Sequence, residues 1–283
     1  MPPRTTPTER QKRLGSELRK MRTAAGMTAD QAAGLLGLDR AKVSNIETGI
    51  RTISPERLHT LACNCACSDQ AYIDTLVAMA RPDGRGWWER YRGSLSPGLL
   101  DIAELESYAV RMRTAHTAHI PGLLQTSDHA LELFRAVLPQ LPEHEVALRL
   151  AYRVERQRVL EGESAPEYVA LVHEAALRMQ FGGRAVARAQ LEHLLELSEH
   201  PPVRLLAIPF SAGTFPGAGQ TVNYLEAAVP QLDTVQVDSS HGPEFLGGAP
   251  QLAKYRAHLD WMERIALSPQ TSRDFILDIA NSL

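Results

Sequence analysis

The chain has little cysteine, and what it has argues against a disulfide or metal framework. Of its 283 residues only Cys63, Cys65 and Cys67 are cysteines, and they lie in one stretch, CNCAC. An odd number of cysteines does not fit a set of disulfides, and gaps of one residue are shorter than those of tetrahedral zinc sites. We therefore expect no metal site and assign the three thiols to small apolar positions or to a turn.

Long hydrophobic runs are also missing. No stretch approaches the roughly 18 to 20 uncharged apolar residues that a membrane helix needs. The start of the chain is rich in proline and threonine and lacks the apolar core of a signal peptide. These features predict a cytoplasmic protein with no membrane partner.

Complete catalytic motifs are absent as well. An HExxH zinc motif begins at His173, but Leu177 stands where the second histidine is required. Ser211 lies in PFSAG, where Pro209 replaces the first glycine of a nucleophile elbow and so removes the residue that permits the strained turn. We expect no catalytic residues and no cofactor, and hence a protein that is not an enzyme.

Charge is unevenly distributed along the chain. The first 60 residues contain 11 Lys and Arg against 6 Asp and Glu, a balance of +5, whereas the whole chain has a net charge of −3, which leaves −8 for residues 61–283. A basic first part on an acidic remainder indicates that nucleic acid is bound through the N-terminal part only.

Two short capped helices separated by a tight turn lie within this basic part. Thr28 and Gln31 have the spacing of a capping box, which predicts a helix from residue 29. Gly37 suits the left-handed position that ends it, and Asp39 can cap a second helix that starts at Arg40. This order of elements is typical of a helix-turn-helix.

With its flanks, this segment resembles the DNA-binding domain of the Cro/repressor (Xre-like) family over about residues 14–61. A first helix is expected over residues 9–25, and Ser54-Pro55-Glu56 has the sequence of a helix start. A fifth helix over 70–80 completes an all-α domain at residues 9–80. The resemblance implies that double-stranded DNA is a partner.

The second helix of the pair supplies the candidate DNA contacts. Its inward positions are Val43 and Ile46, so its other side chains face the groove. Arginine and asparagine pair bidentately with guanine and adenine, and alanine can touch a thymine methyl, so we predict that bases are read by Arg40, Ala41 and Asn45. Residues that flank this face are predicted to contact phosphates: Lys42, Ser44, Thr48 and Arg51. The resemblance further implies a structural ion pair between Arg22 and Glu47.

The rest of the chain has a different pattern of apolar residues. Residues 1–8 are expected to be disordered, and RPDGRG at 81–86 predicts a linker. Short runs rich in Val, Leu, Ile and Tyr then alternate with amphipathic helices. We predict an α+β domain over 87–283 with a small sheet of about four strands, starting near residues 167, 202, 221 and 233.

Two clusters of basic side chains in this second part leave more than one interpretation. His116 and His119 could bind a metal from one helix, but no Cys or third His is nearby in sequence, which favours surface or turn positions. Four arginines crowd a helix predicted over 143–161. They could form a second nucleic-acid patch, but the acidic balance of the region favours salt bridges or a partner-binding face for Arg149, Arg153, Arg156 and Arg158.

Several motifs of the second part, WWERY, ELESYAVRMR, IPGLLQT, HEAALR and PFSAG, resemble the C-terminal domain of unknown function in WhiJ-like regulators of filamentous actinobacteria. The resemblance implies a transcriptional regulator, often encoded beside a small partner protein. The adjacent tryptophans Trp87 and Trp88 are predicted as core anchors. They and the IPGLLQT turn are also available for a contact in a homodimer held mainly by residues beyond Arg81.

We therefore expect a sequence-specific DNA-binding transcriptional regulator whose second domain senses a partner protein or a ligand. The alternative is an antitoxin-like protein that sequesters a small partner protein and regulates its own expression through DNA binding.

Overall fold

The computed structural model describes residues 6–81, 86–217, 219–239 and 241–283. Most of the predicted disordered segment 1–8, and residues 82–85 of the predicted linker, lie outside the described residues. Thr8, the last residue of that segment, is the N-cap of the first helix and forms a capping box with Gln11. Neither prediction is decided by these residues.

Five α-helices form the N-terminal part within residues 6–81. They are α1 Glu9–Ala24, α2 Ala29–Leu36, α3 Arg40–Glu47, α4 Pro55–Asn64 and α5 Gln70–Ala80. Thr28 and Gln31 form the predicted capping box, Gly37 adopts a left-handed conformation with φ of 64°, and Asp39 caps α3. Local capping chemistry therefore fixes where these helices begin and end.

Close backbone contact holds α1 against α3. Leu18 of α1 and Leu58 of α4 are fully buried in the shared core. A Cβ atom placed on Gly15 would lie 2.5 Å from the carbonyl oxygen of Ile46 and 2.6 Å from that of Glu47. Because only glycine permits this approach, α1 packs directly on the C-terminal end of α3.

The second part contains a six-stranded mixed sheet with the order β3-β2-β1-β4-β5-β6. Strands β1 to β3 pair in parallel, and β4 to β6 extend the sheet in antiparallel fashion from β1. The strands are β1 Arg111–His116, β2 Glu167–His173, β3 Val203–Ile208, β4 Val222–Glu226, β5 Thr234–Ser239 and β6 Gly242–Leu246. The predicted α+β class with a small sheet is confirmed.

The sheet has two more strands than the sequence pattern predicts. Strand β1 begins at Arg111, well before the first predicted strand near residue 167, and its Met112 is buried. This strand has only two apolar residues among its six, and its polar side chains Arg113 and Thr114 are buried. Strand β6 contains Gly242 and Pro243, and it lies at the sheet edge where proline is tolerated.

Helices cover both faces of this sheet. They are α6 Pro97–Tyr108, α7 Ser127–Arg135, α8 Glu143–Gln157, α9 Glu174–Arg178, α10 Arg184–Leu197, α11 Ala249–Ile265 and α12 Pro269–Ser282. Alternate residues of β2 face opposite layers: Tyr168 packs in the core that includes Ile276 of α12, and Val169 packs in the core that includes Leu259 of α11. The domain is therefore a three-layer arrangement. Within the described residues, no helix has the length and apolar character to span a membrane.

The two parts of the chain pack against each other. Val229 and Leu232, which follow β4, belong to the same buried cluster as the N-terminal helices. The Arg13 guanidinium donates to the carbonyl of Gln231, whose amide donates to Asp69 at 3.1 Å. Helix α1 and the start of α5 thus contact the segment between β4 and β5.

Of the two tryptophans predicted as core anchors and as possible dimer contacts, Trp88 is buried and Trp87 is partly buried. Trp88 is only 8% exposed, and its ring lies edge-on to Trp87 at 6.0 Å between centroids. Trp87 in turn contacts Tyr152 of α8. Leu123 and Leu124 of the IPGLLQT turn are also buried. Trp88 is therefore a core residue, as predicted, and its ring is not exposed for a contact between copies.

Candidate nucleic-acid interface

Helix α3 has one buried side and one open side. Val43 and Ile46 are 3% and 5% exposed and fix the inward face, as the spacing predicts. Arg40, Ala41, Ser44 and Asn45 are exposed, and so are Thr48 and Arg51 just beyond the helix end. The structure therefore brings the predicted DNA contacts together on one surface.

The charges near this surface are arranged so that carboxylates are balanced by cations. Lys42 Nζ lies 2.8 Å from Asp39, and the Lys42 backbone amide donates to the same carboxylate at 2.7 Å. These two bonds lower the pKa of Asp39. Arg40, whose side chain is 73% exposed, is 3.7 Å from Asp30 of α2. Asp39 is thereby held at the helix start as a cap, and its charge is offset beside the predicted phosphate contacts.

Two of the predicted phosphate contacts are also used within the helix. The Thr48 hydroxyl donates to the carbonyl of Ser44 at 3.0 Å, and the Arg51 amide donates to the carbonyl of Asn45 at 3.0 Å. The backbone bond leaves the Arg51 guanidinium free to reach outward. A phosphate contact through Thr48 would have to replace its bond to Ser44, because a hydroxyl has one proton to donate.

Arg22 and Glu47 form a bidentate ion pair between α1 and the end of α3. Arg22 Nε lies 2.5 Å from one Glu47 oxygen, and a terminal nitrogen lies 3.0 Å from the other. Their side chains are only 10% and 9% exposed. The hydrogen bond to Glu47 raises the pKa of Arg22, and its other terminal nitrogen donates to the Met27 carbonyl at 2.7 Å. The pair joins α1, α3 and the turn before α2.

Comparison with family models gives two matches. A model described as a domain of unknown function (DUF5753) matches residues 99–278, well over half of the chain. The chain belongs to the DUF5753 family. A second model, described as a helix-turn-helix domain, matches residues 13–72, which contain α2 and α3. No curated protein and no solved structure gives a significant match. The helix-turn-helix ahead of the DUF5753 domain indicates a DNA-binding regulator rather than an enzyme.

The DUF5753 domain contains a second candidate site, a cavity of about 350 Å³ between α6, α7, α8 and the sheet. Part of its wall is apolar, formed by Ile102, Leu133, Phe134 and Val137. Polar side chains from separate elements complete it: His116 of β1, Gln125, Arg153 of α8, Tyr168 of β2 and Asp238 of β5. An apolar cleft with a few convergent polar groups is the usual form of a small-molecule site.

The arginines of α8 differ in their partners at this cavity. Arg149 pairs with Glu145 at 2.7 Å and Arg156 pairs with Glu106 of α6 at 2.6 Å, which confirms the salt-bridge interpretation for both. Arg153 instead donates to the side-chain oxygen of Gln125. The place of Arg153 in the cavity wall could not be predicted from sequence, because its partner Gln125 lies on a different element.

His116 is a correction to the sequence interpretation. It was expected at a surface or turn position, but it lies in β1 between β2 and β4 and is 7% exposed. Its neighbour in that interpretation, His119, is exposed. Parallel pairing with a strand far along the chain buries His116, and no local pattern shows that pairing.

Proposed function

We propose that this protein is a sequence-specific DNA-binding transcriptional regulator of the Xre-like, WhiJ-like type. The observation that carries the proposal is the open face of α3, where Arg40, Ala41 and Asn45 are exposed together at the start and middle of the second helix of the helix-turn-helix. This is the helix that enters the major groove in proteins of this architecture. The IPGLLQT and PFSAG motifs support the WhiJ-like, actinobacterial assignment.

Within this proposal, different residues have different roles. Arg40 and Asn45 read base edges and Ala41 touches a thymine methyl, while Lys42, Ser44, Thr48 and Arg51 position the helix on the phosphates. The basic balance of the first 60 residues supports such a contact. Since one recognition helix covers only a few base pairs, the regulator acts as a cytoplasmic homodimer on two half-sites.

We further propose that the DUF5753 domain senses a partner protein or a ligand and sets DNA occupancy. The position of α6 supports this. Its residues Ile102 and Glu106 line the cavity, whereas Asp101 accepts a hydrogen bond from the Glu9 amide of α1 at 3.4 Å. A shift of α6 would therefore reach the first helix of the DNA-binding domain directly.

Selection of bound duplexes from a random-sequence pool by the full chain tests the DNA-binding function. The expected result is one enriched motif, bound with an affinity that falls steeply as salt rises. Lys42→Ala should lower the slope of log affinity against log salt by about one. Lys254→Ala, an exposed lysine on α11, is the matched control and should leave the slope unchanged. A pool without enrichment would overturn the proposal.

A further inference from the structure

The cavity of the DUF5753 domain contains a cation, Arg153, that forms no ion pair with any described residue. Among the described residues, no carboxylate lies within ion-pair distance of Arg153, whose contacts are the Gln125 side chain and the Phe134 ring at 5.0 Å. Burial and the neighbouring Arg156 lower the pKa of Arg153 to about 10, so it stays charged at neutral pH. A guanidinium in such a place favours an anion that can accept two hydrogen bonds.

The carboxylates near this cation are engaged elsewhere. Glu106 receives two hydrogen bonds from Arg156, at 2.6 and 2.7 Å. Asp238 accepts a hydrogen bond from Gln236 at 2.6 Å. Both acids lie near enough to favour the charged form of Arg153, but neither forms a pair with it. Arg153 therefore has no direct ion-pair partner among the described residues.

A second polar group of the cavity is also left without a normal partner. Neither ring nitrogen of His116 makes a hydrogen bond of ordinary geometry within the part of the chain that the structure describes. Burial lowers the pKa of His116 to about 3, although the neighbouring Asn223 opposes the shift. The ring is therefore neutral and offers one donor and one acceptor. Buried polar atoms are nearly always satisfied, so these two nitrogens are suited to a hydrogen bond with a molecule bound in the cavity.

We propose that this cavity binds a small organic acid, with its carboxylate on Arg153, its apolar body against Phe134 and Val137, and a polar atom within reach of His116. The volume of about 350 Å³ suits a small molecule rather than a macromolecular segment. The apolar wall distinguishes this ligand class from an inorganic anion, which has no surface to bury there. The inference rests on the proposed sensing role and specifies its ligand.

Calorimetric titration of the full chain with three probes tests the inference. The probes are 4-phenylbutanoate, the uncharged 4-phenyl-1-butanol and inorganic phosphate. The carboxylate should bind, and each of the other two should bind about tenfold more weakly or worse. Arg153→Met removes the cation at similar length and should weaken the carboxylate by about tenfold or more. Arg188→Met is the matched control, since Arg188 is exposed on α10 and paired with Glu192 at 3.0 Å.

A second variant keeps the test decisive if Arg153→Met does not fold. Val137→Trp fills the apolar side of the cavity and leaves Arg153 in place, so it too should abolish binding of 4-phenylbutanoate. No binding of the acid at millimolar concentration, equal binding of the alcohol or of phosphate, or binding that survives both substitutions would overturn the inference. None of these titrations contains DNA, so a negative result leaves the DNA-binding function standing.

Discussion

Single residues tie the DNA-binding helices together through buried charge. Arg22 and Glu47 are almost completely buried and face each other at 2.5 Å. Removing one partner of such a pair leaves the other charge without compensation in a low-dielectric environment, and that cost exceeds the value of the pair itself.

Glu47→Ala is therefore expected to lower the free energy of unfolding of the N-terminal part by about 3 to 5 kcal/mol. Urea unfolding followed by far-ultraviolet circular dichroism measures the change. Glu192→Ala breaks the exposed Arg188–Glu192 pair and serves as the control, with an expected effect of about 0 to 1 kcal/mol. If Glu47→Ala unfolds like the parent protein and only DNA binding suffers, Glu47 is a DNA contact instead.

Whether a side-chain contact can be predicted from sequence depends on how far apart its two residues lie along the chain. The caps at Thr28 and Asp39 could be predicted because each side chain bonds an amide three residues further along. The environments of His116 and Arg153 could not, because Asn223 and Gln125 reach them from other elements. Local sequence patterns therefore show the arginines of α8 but not the cavity that they line.

The helices of the N-terminal part could be predicted from local sequence, whereas the central strand of the sheet could not. Each predicted helix of the N-terminal part is present because its apolar spacing and caps are contained in its own residues. Strand β1 lies at the centre of the sheet and was missed, since Arg113, Thr114 and His116 are polar and an apolar run was expected of a buried strand. Arg113 is buried by ion pairs with Asp260 and Glu263 of α11, which sequence spacing does not show.

The close contact between α1 and α3 yields a prediction about two glycines. Gly15→Ala would place a methyl group 2.5 Å from the Ile46 carbonyl oxygen, so the helices must separate, with an expected loss of about 1 to 3 kcal/mol in stability. Gly34→Ala adds the same methyl in α2, where no described atom beyond its chain neighbours and the backbone of its own helix lies within 4 Å, and should stabilise the protein by about 0.5 to 1 kcal/mol. Thermal unfolding of the two variants measures the difference. Equal melting temperatures would contradict the close packing of α1 on α3.

For the whole molecule, the contact between the helix-turn-helix and the DUF5753 domain is the feature that sequence reasoning did not anticipate. Val229 and Leu232 are buried among the N-terminal helices, and the ring of Tyr108 at the end of α6 lies 3.9 Å from the Arg10 guanidinium. A linker predicted from proline and glycine says nothing about whether the flanking parts touch. In the proposed sensing role, this contact is the route by which occupancy of the cavity would alter DNA affinity.

The proposed assembly can be tested on the full chain. Since useful specificity requires two half-sites, sedimentation velocity should show a dimer at micromolar concentration, and two chains per duplex when a selected operator is added. The same run with Asn281→Ala, an exposed change on α12, is the control for an unrelated surface substitution. A monomer that binds one chain per operator would contradict the homodimer.

Base reading by α3 is tested by the affinity of Asn45→Ala for the selected operator and for each of its single-base-pair variants. If Asn45 reads a base, Asn45→Ala loses about 1 to 3 kcal/mol of binding free energy on the operator, with relaxed preference at one base pair and unchanged preference at the others. Asn281→Ala should match the parent on every duplex. Uniform weakening across all sequences, or no change at all, would contradict base reading by Asn45.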